Sequence, residues 1–362
     1  MRIAIDAMGG DSAPLETVAG AILAAREYNI EIVLVGKPAE IQAELAKADT
    51  SGLSLPIEPA ASVIPMDEHN PSTAWRRQKD SSLSVALQML ADKKVDALVT
   101  GGNTGAVVAG GTFILRRIAG IERPALGVQF PAMGDIGRVF LADVGATPDA
   151  KSRYLLQWAQ MSSAYTDRVL GIKNPRVALV SNGEEEIKGT ELVQETFQLL
   201  KDSDLNFIGN IEGKDIPLGA ADVVITDGFT GNVIIKTTEG VAKMIFDSIR
   251  TELKSSLVTS LLAAGLRPSF RRIGNRLDYA EYGGSIVMGV DGILIKAHGR
   301  SNAKAIKNAI RVARTAVQQD IMSVFRTLGE NSTQPPAENP ASGRPLQASE
   351  HHQPQPGSIS YA

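Results

Sequence analysis

The 362-residue chain contains no cysteine, which excludes disulfides, thiolate metal sites and a cysteine nucleophile. Histidine is nearly as scarce. Of the four present, His351 and His352 fall in a proline-rich tail, leaving His69 and His298 for the folded part. That is too few for a histidine-based metal cage, so neither a metal nor a cofactor is expected. Excess positive charge is also missing: a formal net charge of -3 argues against a general nucleic-acid binder. No apolar run reaches the roughly 18 residues that mark a membrane span. The opening MRIAIDAMGG lacks the longer hydrophobic segment of a signal peptide and reads as a first strand, so a cytoplasmic location is expected. What is present is ordinary globular composition, 43% hydrophobic and 21% charged, enough for one large α/β unit or two lobes.

Short β-branched runs end in glycine or polar residues and are followed by helical patterns: Ile3 to Asp6, Ile32 to Val35, Val95 to Val99, Val177 to Val180 and Asp222 to Thr226. This alternation predicts a parallel sheet covered by helices. Further apolar runs at Ala125 to Phe130, Arg138 to Asp143, Ser285 to Met288 and Ile293 to Lys296 are too closely spaced for a helix between every pair. A mixed sheet or a second lobe accommodates them. Lys151 to Val169 and Asn302 to Leu328 read as long helices by their apolar spacing. The expectation is a three-layer α/β/α architecture with a largely parallel, mixed sheet over residues 1–330. From Asn331 onward prolines are frequent and periodicity vanishes, so 331–362 reads as a disordered tail.

The stretch DALVTGGNTGAVVAGG places Gly101, Gly102 and Gly105 where a strand ends and a helix begins. Such a terminus offers unpaired amides with a partial positive charge, and glycine lets an anion approach the backbone closely. Asn103 and Thr104 add side-chain hydrogen bonds, so phosphate is the predicted ligand. The pattern is neither a Walker loop nor a complete dinucleotide fingerprint, and a tight turn with close helix packing explains it equally. Three more glycine turns sit at strand ends: DAMGGDSAP with Asp6, Gly9, Gly10 and Asp11; SNGEEEIKGTE with Glu186 and Lys188; and TDGFTGN with Asp227 and Asn232. Several strand ends converging on one crevice is how α/β enzymes assemble a site, although a single Asp there is commonly a helix cap. RRQKDSSLS brings Arg76, Arg77 and Lys79 before Ser81 and Ser82. Arg76 suits phosphate by its planar fork, or belongs to a solvated basic surface.

These motifs, MRIAIDAMGGD, GGNTGA, RPAL at Arg123, LADVGA at Leu141, DAK at Asp149, VTDGFTGNV around Asp227 and IKAHGRS at Ile295, closely resemble the PlsX family of bacterial phosphate acyltransferases. The resemblance runs from Met1 to about residue 325. Ser12 departs from it, since many members carry histidine there. The resemblance implies reversible transfer of a long-chain acyl group from acyl carrier protein to inorganic phosphate, giving acyl phosphate for phospholipid synthesis. It also implies a fold like that of phosphotransacetylases and isocitrate dehydrogenase-like enzymes, a homodimer, and contact with the inner membrane surface and the downstream glycerol-3-phosphate acyltransferase. In that framework Lys188 offsets phosphate charge or steadies the oxyanion, Asn232 donates a hydrogen bond to it, and His298 protonates the leaving thiolate. Without the resemblance, Lys188 reads as a surface lysine paired with Glu184 to Glu186, and Asn232 as a helix cap.

The segment from Lys254 to Arg276 is basic inside an acidic chain. Leu257, Leu261, Leu262, Leu266, Phe270 and Ile273 recur at mostly helical spacing, interrupted by Gly265 and Pro268, and Arg267, Arg271 and Arg272 supply charge. An amphipathic hairpin near 250–278 is predicted, able to rest on anionic lipid, to dock an acidic carrier protein, or to pair two subunits. The rival readings are a phosphotransacetylase acting on small acyl-coenzyme A, a metal- and nucleotide-dependent dehydrogenase, and a noncatalytic scaffold for carrier protein and lipid surface.

Overall fold

The computed structural model describes residues 1–333 except 135–136, 257–258, 260–262, 264, 267, 271 and 275–278. In the first half, β1 (Arg2–Asp6), β2 (Glu31–Gly36), β3 (Ile57–Pro59) and β4 (Ala97–Thr100) alternate with α1 (Leu15–Tyr28), α2 (Pro38–Leu45), α3 (Pro71–Arg77) and α4 (Ser82–Ala91). After β4 come α5 (Thr104–Gly110) and a π-helical turn, Gly111–Leu115. β5 (Ala125–Pro131) and β6 (Arg138–Ala142) form a hairpin, followed by α6 (Ser152–Arg168), β7 (Val177–Val180), α7 (Glu191–Lys201), β8 (Phe207–Ile211), β9 (Val223–Ile225) and α8 (Gly228–Leu253). The chain closes with α9 (Tyr279–Tyr282), β10 (Ser285–Met288), β11 (Ile293–Lys296), α10 (Ala303–Gln318) and α11 (Ile321–Thr333).

The eleven strands among the described residues join one sheet in the order β3-β2-β1-β4-β11-β10-β5-β6-β9-β7-β8. Pairing is parallel from β3 to β11 and again from β6 to β8, but antiparallel at β11–β10, β10–β5 and β5–β6. Three reversals are an odd number. The strands of the second parallel block therefore run opposite to those of the first, and their carboxyl ends point to the other edge.

The central strands are apolar on both faces because both are covered. One face packs against α1, α6 and α10 through residues including Ile3, Val99, Ile295, Trp158 and Ile310, a layer that spans both halves. On the opposite face, Ala4, Leu98 and Leu294 pack beneath α4 and α5, and Phe130, Leu141 and Val224 form a separate cluster against Ile234 and Ile235 of α8.

The predicted strands and the 152–168 helix are present. The last helical stretch is two helices, since Asp320 takes a left-handed backbone (φ 47) between α10 and α11. α11 continues to Thr333, past the expected start of the tail, and residues 334–362 lie outside the described ones. Of the predicted hairpin, Leu257, Leu261, Leu262, Arg267 and Arg271 lie outside the described residues, while Leu266 and Arg272 are exposed. None of the described helices is long and apolar enough to cross a membrane.

Candidate active site

At the carboxyl edge of the first block, three loops interlock. The Asp11 amide donates to Gly299 O at 2.8 Å, tying the loop after β1 to the loop after β11. A Cβ on Gly101 would lie 2.7 Å from Gly9 O, and one on Gly9 would lie 3.0 Å from the Gly102 amide. Gly10 adopts φ +121 against Gly299 O. Much of the bare backbone that the sequence displays is thus consumed by loops packing on loops.

Asp6 organises this edge. Its buried carboxylate accepts from the Thr100 hydroxyl at 2.8 Å and from the Met8 amide at 3.3 Å. Burial outweighs these bonds and pushes its pKa above the ordinary value. Thr100 in turn accepts from the Gly102 amide at 3.0 Å, so that amide is not available to a ligand. Asn103 caps α5: its Oδ1 accepts from the Ala106 amide at 3.1 Å, and its Nδ2 donates to Met66 O at 2.8 Å. Among the described residues, no acceptor meets the amides of Asn103, Thr104 and Gly105. These are the donors the loop can offer to an anion. Arg76 lies exposed, its guanidinium stacked over Trp75 on α3, which packs beside α5.

Beside these loops is a cavity of about 390 Å³, lined by Val128, Phe130 and Pro131 of β5, Ile235, Glu239 and Ala242 of α8, and Lys296 and His298 at the end of β11. One wall is apolar and the rim is charged. His298 Nδ1 accepts from the Arg300 amide at 3.1 Å, which leaves the ring proton on Nε2, 4.0 Å from Glu239 Oε1. Burial, with Lys296 and Lys236 nearby, lowers the His298 pKa, so the ring is neutral at pH 7. A neutral imidazole donates a hydrogen bond through Nε2 but is a poor source of a full proton. Lys296, which sequence reasoning passed over, is half-buried with a pKa lowered to about 8, first by desolvation and then by Lys236. The available signal was a lysine ending the otherwise buried apolar strand ILIK.

The loops of the second block gather at the opposite edge. Asp143 repeats the part of Asp6: fully buried, it accepts from the amides of Leu126, Gly145, Ala146 and Thr147 at 2.7–3.1 Å. Asp227 caps α8 through the amides of Phe229 and Thr230, so it holds the helix start. Asn232 is not a cap. It stands exposed in the next turn, close to where a Cβ on Gly145 would sit, beside cavity-lining Val144. Lys188 is half-buried on the loop after β7 and is not among the cavity-lining residues. The expected pairing with its preceding glutamates is not what the fold uses: Glu186 bonds Gln198 and Lys201 instead, and among the described residues no ion pair includes Lys188. The structure therefore gathers Asp6, Gly9, Gly10, Asp11, Gly101 to Gly105 and His298 at one edge. α8 connects Asn232 to that edge, while Lys188 and Arg76 stand apart.

A larger groove of about 560 Å³ lies between α1 and the end of α2, lined by Val18, Ile22, Arg26 and Lys47. None of its lining residues belongs to a described strand.

Comparison with solved structures places the same architecture in a phosphotransacetylase from Streptococcus pyogenes (TM-score 0.57, 17% identity, 88% of this chain and 94% of that one). The EutD phosphotransacetylase from Staphylococcus aureus is similar (TM-score 0.54, 16% identity, 88% and 94%). Closer in sequence are the phosphate acyltransferases of Dictyoglomus turgidum, 48% identical over 89% of this chain and 95% of the relative, and of Heliobacterium modesticaldum, 49% identical over 90% and 97%. A family model described as fatty acid synthesis protein matches residues 1–324. With a match of that extent and relatives of that identity, this chain belongs to the fatty acid synthesis protein (PlsX) family, that of the phosphate acyltransferases.

Proposed function

We propose that the protein reversibly transfers a long-chain fatty acyl group from the thioester of acyl carrier protein to inorganic phosphate, giving acyl phosphate for phospholipid synthesis. The supporting observation is a link at one sheet edge: Thr100, from which the loop with unpaired amides at the start of α5 departs, pairs in register with Lys296 of a cavity that has an apolar wall and a charged rim. The amides of Asn103 to Gly105 hold phosphate, and the Thr104 hydroxyl adds a contact. Val128, Phe130, Ile235 and Ala242 accept the start of the acyl chain. The cavity volume is within the roughly 300–1,000 Å³ usual for small-molecule sites.

Phosphate dianion already carries a reactive oxygen near neutral pH, so positioning and charge stabilisation are the main tasks. As the tetrahedral intermediate forms, negative charge grows on the former carbonyl oxygen, where fixed donors act. His298 Nε2–H and the Asn232 amide are proposed to serve there, and Lys188, which stands apart from the amides of Asn103 to Gly105 in this structure, is proposed to offset substrate charge from the opposite edge. A chain without cysteine lacks the commonest acyl-accepting nucleophile, which favours direct attack by phosphate.

α8 carries exposed Phe229, Val233, Val241, Met244, Ile245 and Ile249, an apolar row suited to the proposed homodimer. Exposed Leu266 and Ile273 beside Arg272 suit the proposed peripheral contact with the inner membrane surface. Delivery of acyl phosphate to a membrane-bound glycerol-3-phosphate acyltransferase would follow. The deciding experiment incubates the purified protein with palmitoyl carrier protein, with and without phosphate, and traps acyl phosphate with hydroxylamine. Phosphate-dependent product from this donor and not from acetyl-coenzyme A supports the reading. The reverse preference supports the small-acyl alternative, and no product from either leaves only a scaffold.

A further inference from the structure

Strand β11 reads Ile-Leu-Ile-Lys, and its register sets Lys296 opposite Thr100, the residue just before the glycine loop. The Ala297 amide donates to Thr100 O at 2.8 Å, fixing the two strand ends together. Alternation along the strand puts the Lys296 side chain on the face of Leu294 and Leu98, the face that α5 covers. There it lines the cavity with His298 and Glu239. Its charged neighbours come from three directions: Lys236 and Glu239 from α8, Asp11 from the loop after β1, and His298 from its own strand end. Glu239 turns to His298, and among the described residues no ion pair includes Lys296.

A half-buried lysine with no ion-pair partner among the described residues, at the junction of an anion loop and an apolar cavity, is an unusual use of a group that is costly to desolvate. We propose that Lys296 is the proton relay of the acyl transfer, giving a proton to the departing thiolate and taking back the one that arrives with phosphate. This rests on the acyl-transfer reading above. A phosphate oxygen forms the new C–O bond, and the intermediate collapses with cleavage of the C–S bond, whose electron pair leaves on sulfur. The Lys296 ammonium protonates that sulfur to the free thiol. The neutral amine then accepts the remaining proton of the phosphoryl group, made more acidic by its new acyl substituent. Acyl phosphate dianion and ammonium result. No proton is gained or lost, so the relay serves both directions. A lysine titrating at about 8 is well matched to a thiol near 8.5, whereas neutral His298 has no full proton to give.

The test compares two acyl donors with the same chain, one an alkyl (pantetheine-type) thioester and one an aryl thioester whose thiolate leaves unassisted. Lys296→Met should lower kcat by about 10²–10⁴-fold on the alkyl donor, the usual worth of general acid catalysis, and by less than about tenfold on the aryl donor. Lys296→Arg keeps charge and bulk but cannot release a proton, and should be as impaired as Lys296→Met on the alkyl donor. In the wild type, activity should fall above about pH 8, and the rate should depend little on the leaving thiol. Equal losses on both donors, full activity in Lys296→Arg, or a steep leaving-group dependence in the wild type would each overturn the relay. Wild-type protein that makes no acyl phosphate from either donor overturns the acyl-transfer reading itself and the relay with it. An active wild type with unaffected variants overturns the relay alone.

Discussion

The Thr100 hydroxyl donates to Asp6 Oδ2 across 2.8 Å, joining the ends of β4 and β1 through a buried carboxylate. Removing that carboxylate in Asp6→Ala leaves the Thr100 hydroxyl and Met8 amide without their partner, at a cost of about 1–3 kcal/mol. The pH dependence has a definite sign. Burial raises the Asp6 pKa above 3.8 in the folded protein, so its stabilising contribution is complete below that value and is lost as pH rises through the folded pKa. Asp6→Asn does not titrate. Its thermal midpoint relative to wild type should therefore climb from pH 3.8 upward, and a flat or falling difference would contradict the assignment.

Two glycines on α8 should respond to alanine with opposite sign. On Gly231 a Cβ would come 1.9 Å from the main-chain oxygen of Asp143, a backbone atom with no room to yield. Gly231→Ala should cost about 3 kcal/mol or more. Exposed Gly240 meets nothing within 4 Å, so Gly240→Ala should gain about 0.5–1 kcal/mol by helix propensity alone. Urea midpoints of the two variants read this directly. A destabilised Gly240→Ala would mean that this face of α8, which also bears Val233 and Met244, packs too closely in the proposed homodimer to admit a methyl group.

Buried strands were legible because runs such as RIAID and ALVT are β-branched and end in turn residues. β3 and β8 escaped notice for physical reasons. Both are sheet edges; β3 is three residues ending in proline, and β8 contains Gly209 and Asn210. The break at Asp320 was hidden because Val317, Ile321 and Phe325 keep helical spacing across it. The glycine loop was found, but its glycines serve mainly contact between Gly9 and Gly101. Strand direction was the larger omission. Convergence of all four glycine turns assumed one orientation, whereas β10, β5 and β6 reverse it. That reversal depends on which strands pair, which no local pattern encodes.

Lys188 and Asn232 test how the two edges cooperate. Neither holds the fold: Lys188 has no ion-pair partner among the described residues, and Asn232 is exposed and is not the cap of α8. Lys188→Ala and Asn232→Ala should each lower acyl-phosphate formation by about 10²–10³-fold, the typical loss of one oxyanion donor, with unfolding free energies within about 0.5 kcal/mol of wild type. Near-normal turnover in Lys188→Ala would remove the β7 loop from the chemistry and confine it to the edge bearing Asn103 and His298.

His298 should be neutral and carry its proton on Nε2. The Arg300 amide at 3.1 Å occupies the Nδ1 lone pair, and burial together with Lys296 and Lys236 holds the pKa below 6.5. For a base whose folded pKa is depressed, the associated stability is present above 6.5 and lost as pH falls through the folded value. Ring nitrogen correlation spectra report both properties. One histidine signal should keep the Nε2–H tautomer at pH 7, titrate below 6.5 and disappear in His298→Gln. The same variant retains an N–H donor close to the position of Nε2, so it should keep more activity than His298→Ala, which loses about 10²-fold. A ring titrating at or above 6.5, or protonated on Nδ1, would instead make His298 the proton donor and leave Lys296 as a fixed charge.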